Sequence, residues 1–97
     1  MRFARPDKRR PVLVLGRDES LSSWSQIPVV PLSSQVRGLP WEVKLSGKDG
    51  MAVDSVLKPE WIRSVERTLI GPRITALPEH RWPEVRDALL LALGLAS

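Results

Sequence analysis

Two short segments of this chain hold the residue types that handle phosphate. Lys8-Arg9-Arg10-Pro11 sets three cations where the chain enters an apolar run. A guanidinium offers five N–H donors in a fixed fork, a geometry that suits phosphate oxygens. Further along, Ser33, Ser34, Gln35 and Arg37 bring hydroxyls, an amide and another guanidinium. Such groups can hydrogen-bond phosphate and base edges. Taken singly, each segment also has an ordinary reading: a short basic run is commonly solvated, and Ser, Gln and Gly make up any surface loop. Four tryptophans and no tyrosine add a further feature. Trp24 lies in a polar stretch and could stack on a base. Trp41 and Trp82 fall on apolar faces and are expected in the core or at an interface. The sole histidine, His80, reads as a surface or capping residue and cannot form a histidine acid–base pair within one chain. No His, Cys or carboxylate cluster has metal-ligand spacing, so neither metal nor cofactor is expected.

The elements that must position these groups fit in 97 residues, enough for one small domain whose partners supply part of its stability. Hydrophobic residues at 42% and charged residues at 27% describe a chain that folds. A net charge of +4 and a pI near 10.3 favour a polyanionic partner. The absence of cysteine excludes a disulfide framework and thiolate metal ligation, and points to a reducing cytosol. No run approaches the roughly 18 apolar residues that span a bilayer. The apolar stretch Pro11 to Leu15 is too short for a secretion signal, and charge returns at Arg17.

Pro11 to Gly16 reads as a buried strand. Ile27 to Val30 is a second β-branched run, and Pro28 within it suggests an edge or a bulge. The stretch from Pro31 to Pro40 has a loop composition. Trp41 to Leu45 alternates, with Trp41, Val43 and Leu45 on one face and Glu42 and Lys44 on the other. Gly47-Lys48-Asp49-Gly50 resembles a hairpin turn, with Met51 to Leu57 as the returning strand. Trp61 to Thr68 and Ile70 to Ala76 are further strand candidates. Trp82, Val85, Ala88, Leu89, Ala92 and Leu93 recur at helical spacing, with Pro83 in the first turn and Gly94 at the C-cap. Leu90 and Leu91 widen that apolar stripe beyond one core face, which suggests a second subunit or another protein against it. Several short strands and one C-terminal helix fit a small, partly open β-barrel.

Read together, the segments become specific. KRRPVLVLGRD, then IPVVPLSSQVRGLPWEVKL, then DGMAVDSVLKPEWIRSVER, followed by a weak strand and a helix ending in LGL, resemble the MazF/PemK toxin family across most of the chain. The shared pattern is an Arg-Pro pair leading into an apolar strand, then a valine-proline strand end and a loop with two small hydroxyl residues and Gln. A Gly-x-Pro-x-Glu-Val strand start completes it.

The resemblance implies an SH3-like barrel, a homodimer, metal-independent cleavage of single-stranded RNA, and inhibition by a cognate acidic antitoxin. By position it makes Arg10 and Ser33 the catalytic residues, although the family more often has threonine at Ser33. It places Arg37, Ser34 and Gln35 in the RNA-facing loop; beside them the cations Lys8, Arg9 and Arg17 and the loop residue Trp24 are expected to bind RNA. The family usually has several more residues before the equivalent of Met1-Arg2-Phe3, so the first strand is expected to be truncated, with the loop after it shortened to Ala4-Arg5-Pro6-Asp7. Two other readings stay open: a catalytically dead RNA-binding barrel, and a gyrase-poisoning toxin of the same fold. Members of the latter depend on a tryptophan near the C-terminus, where this chain has Leu93-Gly94-Leu95-Ala96-Ser97.

Overall fold

The computed structural model describes residues 2–6, 11–16, 21–51 and 53–95. Its elements are β1 (Arg2–Pro6), β2 (Val12–Val14), β3 (Gln26–Ser33), β4 (Val43–Leu45), β5 (Ser55–Leu57), β6 (Arg63–Glu66), β7 (Ile70–Ala76) and helix α1 (Trp82–Ala92). The strands follow the order β4-β5-β3-β2-β1-β7, and β6 also pairs with β3. Every pairing among the described residues is antiparallel.

The sheet has a core on each face because side chains alternate along its strands. Leu13, Val30, Leu32, Val43, Leu45 and Leu57 pack on one side with Val85 and Ala88 of α1. Val12, Val14, Ile27 and Val29 point to the other side, where Val65 and Ile70 cover them. The result is the expected mainly β half-barrel capped by a helix. Among the described residues, no helix is long and apolar enough to cross a membrane.

Strand β3 is the hub of the sheet, which corrects the expectation of an edge position for Pro28. One side of β3 pairs with β2, and the other pairs first with β6 and then with β5. Proline is tolerated there because each ring stands where a partner strand ends. Pro28 serves through its carbonyl, which accepts from Leu15 N at 2.9 Å, just past β2. Pro31 stands between the spans of β6 and β5, and its carbonyl accepts from Lys58 N at 2.9 Å. The strand therefore runs on to Ser33, and the loop begins three residues later than its composition suggested.

Other boundaries moved for similar reasons. β5 starts at Ser55 rather than Met51, because β4 offers only Val43, Lys44 and Leu45 to pair with it. The intervening chain forms a 3-10 turn over Gly47–Asp49 with a reciprocal cap between Ser46 and Asp49. β1 pairs with β2 through Arg2, Phe3 and Ala4 and with β7 as far as Pro6, so Ala4, Arg5 and Pro6 belong to a strand rather than to a loop; Asp7 lies outside the described residues. Trp82 does not enter the core. As the first residue of α1 it is 39% exposed, beside Leu77, Pro78 and Glu79. Trp41 does pack against the core, half-buried.

The helix ends as its sequence indicated. Leu95 N donates to Leu90 O at 2.8 Å and Gly94 N to Leu91 O at 3.2 Å, the paired bonds of a Schellman motif. Gly94 has φ of 73°, which a side chain would strain. Leu90 and Leu91 are half-buried, and Leu93 and Leu95 are exposed.

Candidate functional site

Lys8, Arg9, Arg10 and Arg17 lie outside the described residues. The half-buried Pro11, which follows Arg10 in the chain, leads into β2 at the middle of the sheet, between β1 and β3. Ser33 is the last residue of β3, paired with Val56 and half-buried. Its Oγ accepts a hydrogen bond from Gln35 N at 3.1 Å, which bends the chain out of the strand. Ser34, Gln35 and Arg37 are exposed on the loop that follows. Trp24 is 42% exposed on a different segment, leaning over Gly16, where an added Cβ would meet its ring at 3.2 Å.

The loop is held from beneath by a residue that strand alternation had assigned to the solvent face. Glu42 turns inward, with its side chain only 3% exposed. Its carboxylate accepts from the amides of Arg37 at 3.1 Å, Gly38 at 2.9 Å and Leu39 at 3.3 Å. It also takes a charge-assisted bond from Lys58 Nζ, whose side chain is completely buried. Lys58 holds the Glu42 carboxyl below the usual carboxylate range; burial opposes this, and the three amides add to it. A buried ion pair is costly unless its remaining lone pairs are satisfied, and here the loop amides satisfy them. The Lys58 ammonium lies 5.6 Å from the centre of the Trp61 ring, and the Arg37 guanidinium lies 5.8 Å from the same centre.

Glu42, Lys58 and Trp61 were not picked out as site residues in the sequence. The glutamate of the Gly-x-Pro-x-Glu-Val pattern, here Gly38-Leu39-Pro40-Trp41-Glu42-Val43, is the one signal that could have found the first of them. Nothing local marks Lys58 as buried.

A cavity of about 640 Å³ opens beside Ser34 and Val36 and runs past Lys44 and Lys48 to His80 and Arg81. Arg81 closes its far end by bonding Asp49 Oδ1 at 2.8 Å, Lys44 O at 2.8 Å and Glu84 Oε1 at 3.0 Å. His80 is exposed, next to this tie. No three His, Asp or Glu side chains among the described residues come together as a metal-ligand set.

The chain resembles known proteins over nearly its whole length. Residues 3–93 match the family described as the PemK-like, MazF-like toxin of type II toxin–antitoxin systems. Endoribonuclease MazF3 of Mycobacterium tuberculosis is 29% identical over 93 residues, which cover 96% of this chain and 90% of that one. The solved M. tuberculosis toxin MazF-mt6 superposes with a TM-score of 0.87 at 28% identity, covering 99% of this chain and 97% of that one. A MazE–MazF structure from Deinococcus radiodurans gives 0.80 at 27% identity, covering 98% and 94%. The chain thus belongs to the PemK-like, MazF-like toxin family of type II toxin–antitoxin systems.

Proposed function

We propose that this toxin is a cytosolic, metal-independent endoribonuclease that cuts single-stranded RNA, works as a homodimer and is restrained by an acidic antitoxin. The observation that carries the catalytic assignment is the shared course of β2 and β3. Their register runs Val14 to Val29, Leu13 to Val30 and Val12 to Pro31. The strand that ends in Ser33 therefore continues toward the end of β2 that the Arg10-Pro11 pair enters. The MazF3 relative is named an endoribonuclease, and the D. radiodurans relative was solved as a MazE–MazF pair, which supports the reaction and the partner respectively.

In this reading Arg10 and Ser33 meet one phosphate. The 2′-hydroxyl of the preceding ribose gives its proton to water as its oxygen attacks phosphorus, the bond from phosphorus to the 5′-oxygen breaks, and that oxygen takes a proton from water, so the products are a 2′,3′-cyclic phosphate and a 5′-hydroxyl. Negative charge builds on the nonbridging oxygens, and the Arg10 guanidinium stabilises it. Because the Ser33 oxygen already accepts from Gln35 N, its own O–H stays available to donate to that phosphate. Lys8, Arg9, Arg17, Arg37, Trp24, Ser34 and Gln35 bind the strand without taking part in bond making.

The test is an RNA oligonucleotide incubated with the protein in EDTA, alongside a copy carrying a single 2′-deoxyribose at the mapped cut. Cleavage to a cyclic phosphate, unchanged by EDTA and abolished by the 2′-deoxy substitution, is the expected result. Cleavage that persists at the deoxyribose, or that EDTA stops, contradicts the mechanism.

A further inference from the structure

We infer that Trp61 and Arg37 form a stacking platform for one unpaired nucleobase of the substrate, set in place by the buried Lys58–Glu42 pair. The inference rests on the RNA-cleaving reading above and adds a recognition site to it.

Trp61 is 43% exposed. It ends a 3-10 turn, Pro59–Trp61, that is stiff for clear reasons. Pro59 is fully buried and fixes the first turn, Trp61 N donates to Lys58 O at 3.0 Å, and Ile62 N donates to Pro59 O at 3.1 Å. The same Lys58 binds Glu42, and Glu42 binds the amide of Arg37. One hydrogen-bonded chain therefore fixes both the backbone that carries the ring and the backbone that presents the guanidinium.

Single-stranded RNA is read by stacking splayed bases on aromatic rings or on guanidinium planes. A rigid indole paired with a guanidinium offers both surfaces, and preorganisation lowers the ordering cost of binding. The charge pattern also favours an anionic strand. Glu42 neutralises Lys58, while the Arg37 side chain is exposed and makes no ion pair among the described residues. The other exposed indoles lack this setting: Trp24 leans over Gly16, and Trp82 sits beside Leu77 and Pro78. Neither has a cation over its ring among the described residues.

The experiment is an abasic scan. A fluorescein-labelled RNA oligonucleotide spanning a mapped cut, with 2′-deoxyribose at the cleaved position, is prepared with each base deleted in turn. Its Kd is read by anisotropy for wild type, Trp61→Ala and Trp61→Phe, with folding checked by circular dichroism and cleavage of the all-ribose strand run in parallel. Wild type should lose roughly tenfold in affinity at one position, the scale of a stacked base. Trp61→Ala should start weaker by a similar factor and be insensitive to deletion at that position, and Trp61→Phe should recover most of the difference. If every deletion costs Trp61→Ala as much as wild type while the RNA is still cut, the platform is overturned and the RNA-cleaving reading stands. RNA that is neither cut nor bound overturns both.

Discussion

Two carboxylates in this fold are buried in similar ways and do different work. Asp49 receives Ser46 N at 3.0 Å and Arg81 Nη1 at 2.8 Å. Glu42 receives three loop amides and the Lys58 ammonium. The Asp49 partner, Arg81, also reaches the Lys44 carbonyl and Glu84, so this cluster ties the β4–β5 turn to the start of α1. Glu42 ties a loop to the floor beneath it and leaves Ser34, Gln35 and Arg37 pointing outward. The first arrangement joins elements that must stay together, whereas the second shapes a surface. Disrupting the first should therefore cost stability alone, and disrupting the second should cost binding as well.

The largest expected effect is on stability. Arg81→Met removes three charge-assisted bonds from a side chain that is 19% exposed, and should cost about 2 kcal/mol in urea unfolding. RNA affinity of the folded protein should stay within about twofold, a difference smaller than one hydrogen bond supplies. A large loss of affinity without loss of stability would reverse the roles assigned to the two clusters. Glu42→Gln should cost stability as well, because it leaves the buried Lys58 ammonium without its counter-charge, but unlike Arg81→Met it should also weaken RNA binding. It keeps an acceptor but not the charge, so the Kd for RNA should rise about fivefold, the scale of one hydrogen bond. Hydrogen exchange at the amides of residues 37–39 should quicken.

Acid offers a sharper form of the same contrast. The Glu42 carboxyl is held below its ordinary value of 4.5. The stability it contributes is complete above 4.5 and is lost as pH falls through the lowered folded-state value. Glutamine does not titrate, so the difference in stability between wild type and Glu42→Gln should be constant near neutrality and shrink below pH 4.5. A gap that widened in acid would contradict the assignment. The smallest effect in this series is on salt dependence: Arg37→Ala removes one exposed cation from the RNA-facing loop and should reduce the slope of log affinity against log salt by about 1.

Where sequence and structure agree, the pattern is local. Val12-Leu13-Val14 is apolar throughout because each face of β2 meets a core, and α1 advertises itself by spacing, Pro83 and Gly94. The Arg-Pro pair and the Ser-Ser-Gln loop were legible as a family pattern even though neither is specific alone. What escaped depends on partners distant in sequence. Glu42 alternates with Val43 as an outward residue would, and only Lys58, sixteen positions on, turns it inward. Pro31 to Ser33 look like loop until β5 supplies a partner. Trp82 has helical spacing but starts the helix, where little covers it.

The central claim, that Arg10 stabilises charge at the cut phosphate, is tested most directly by single-turnover cleavage of a single-stranded RNA with Arg10→Ala and Arg9→Ala compared against wild type. Arg10→Ala should slow the cleavage step by about two to three orders of magnitude, the usual loss for a central charge-stabilising donor, with RNA binding much less affected. Ser33→Ala should cost less, and Arg9→Ala, a neighbour on an alternating backbone, should weaken binding modestly and leave the step near wild type. Full activity in Arg10→Ala, or equal losses at both arginines, would contradict the assignment.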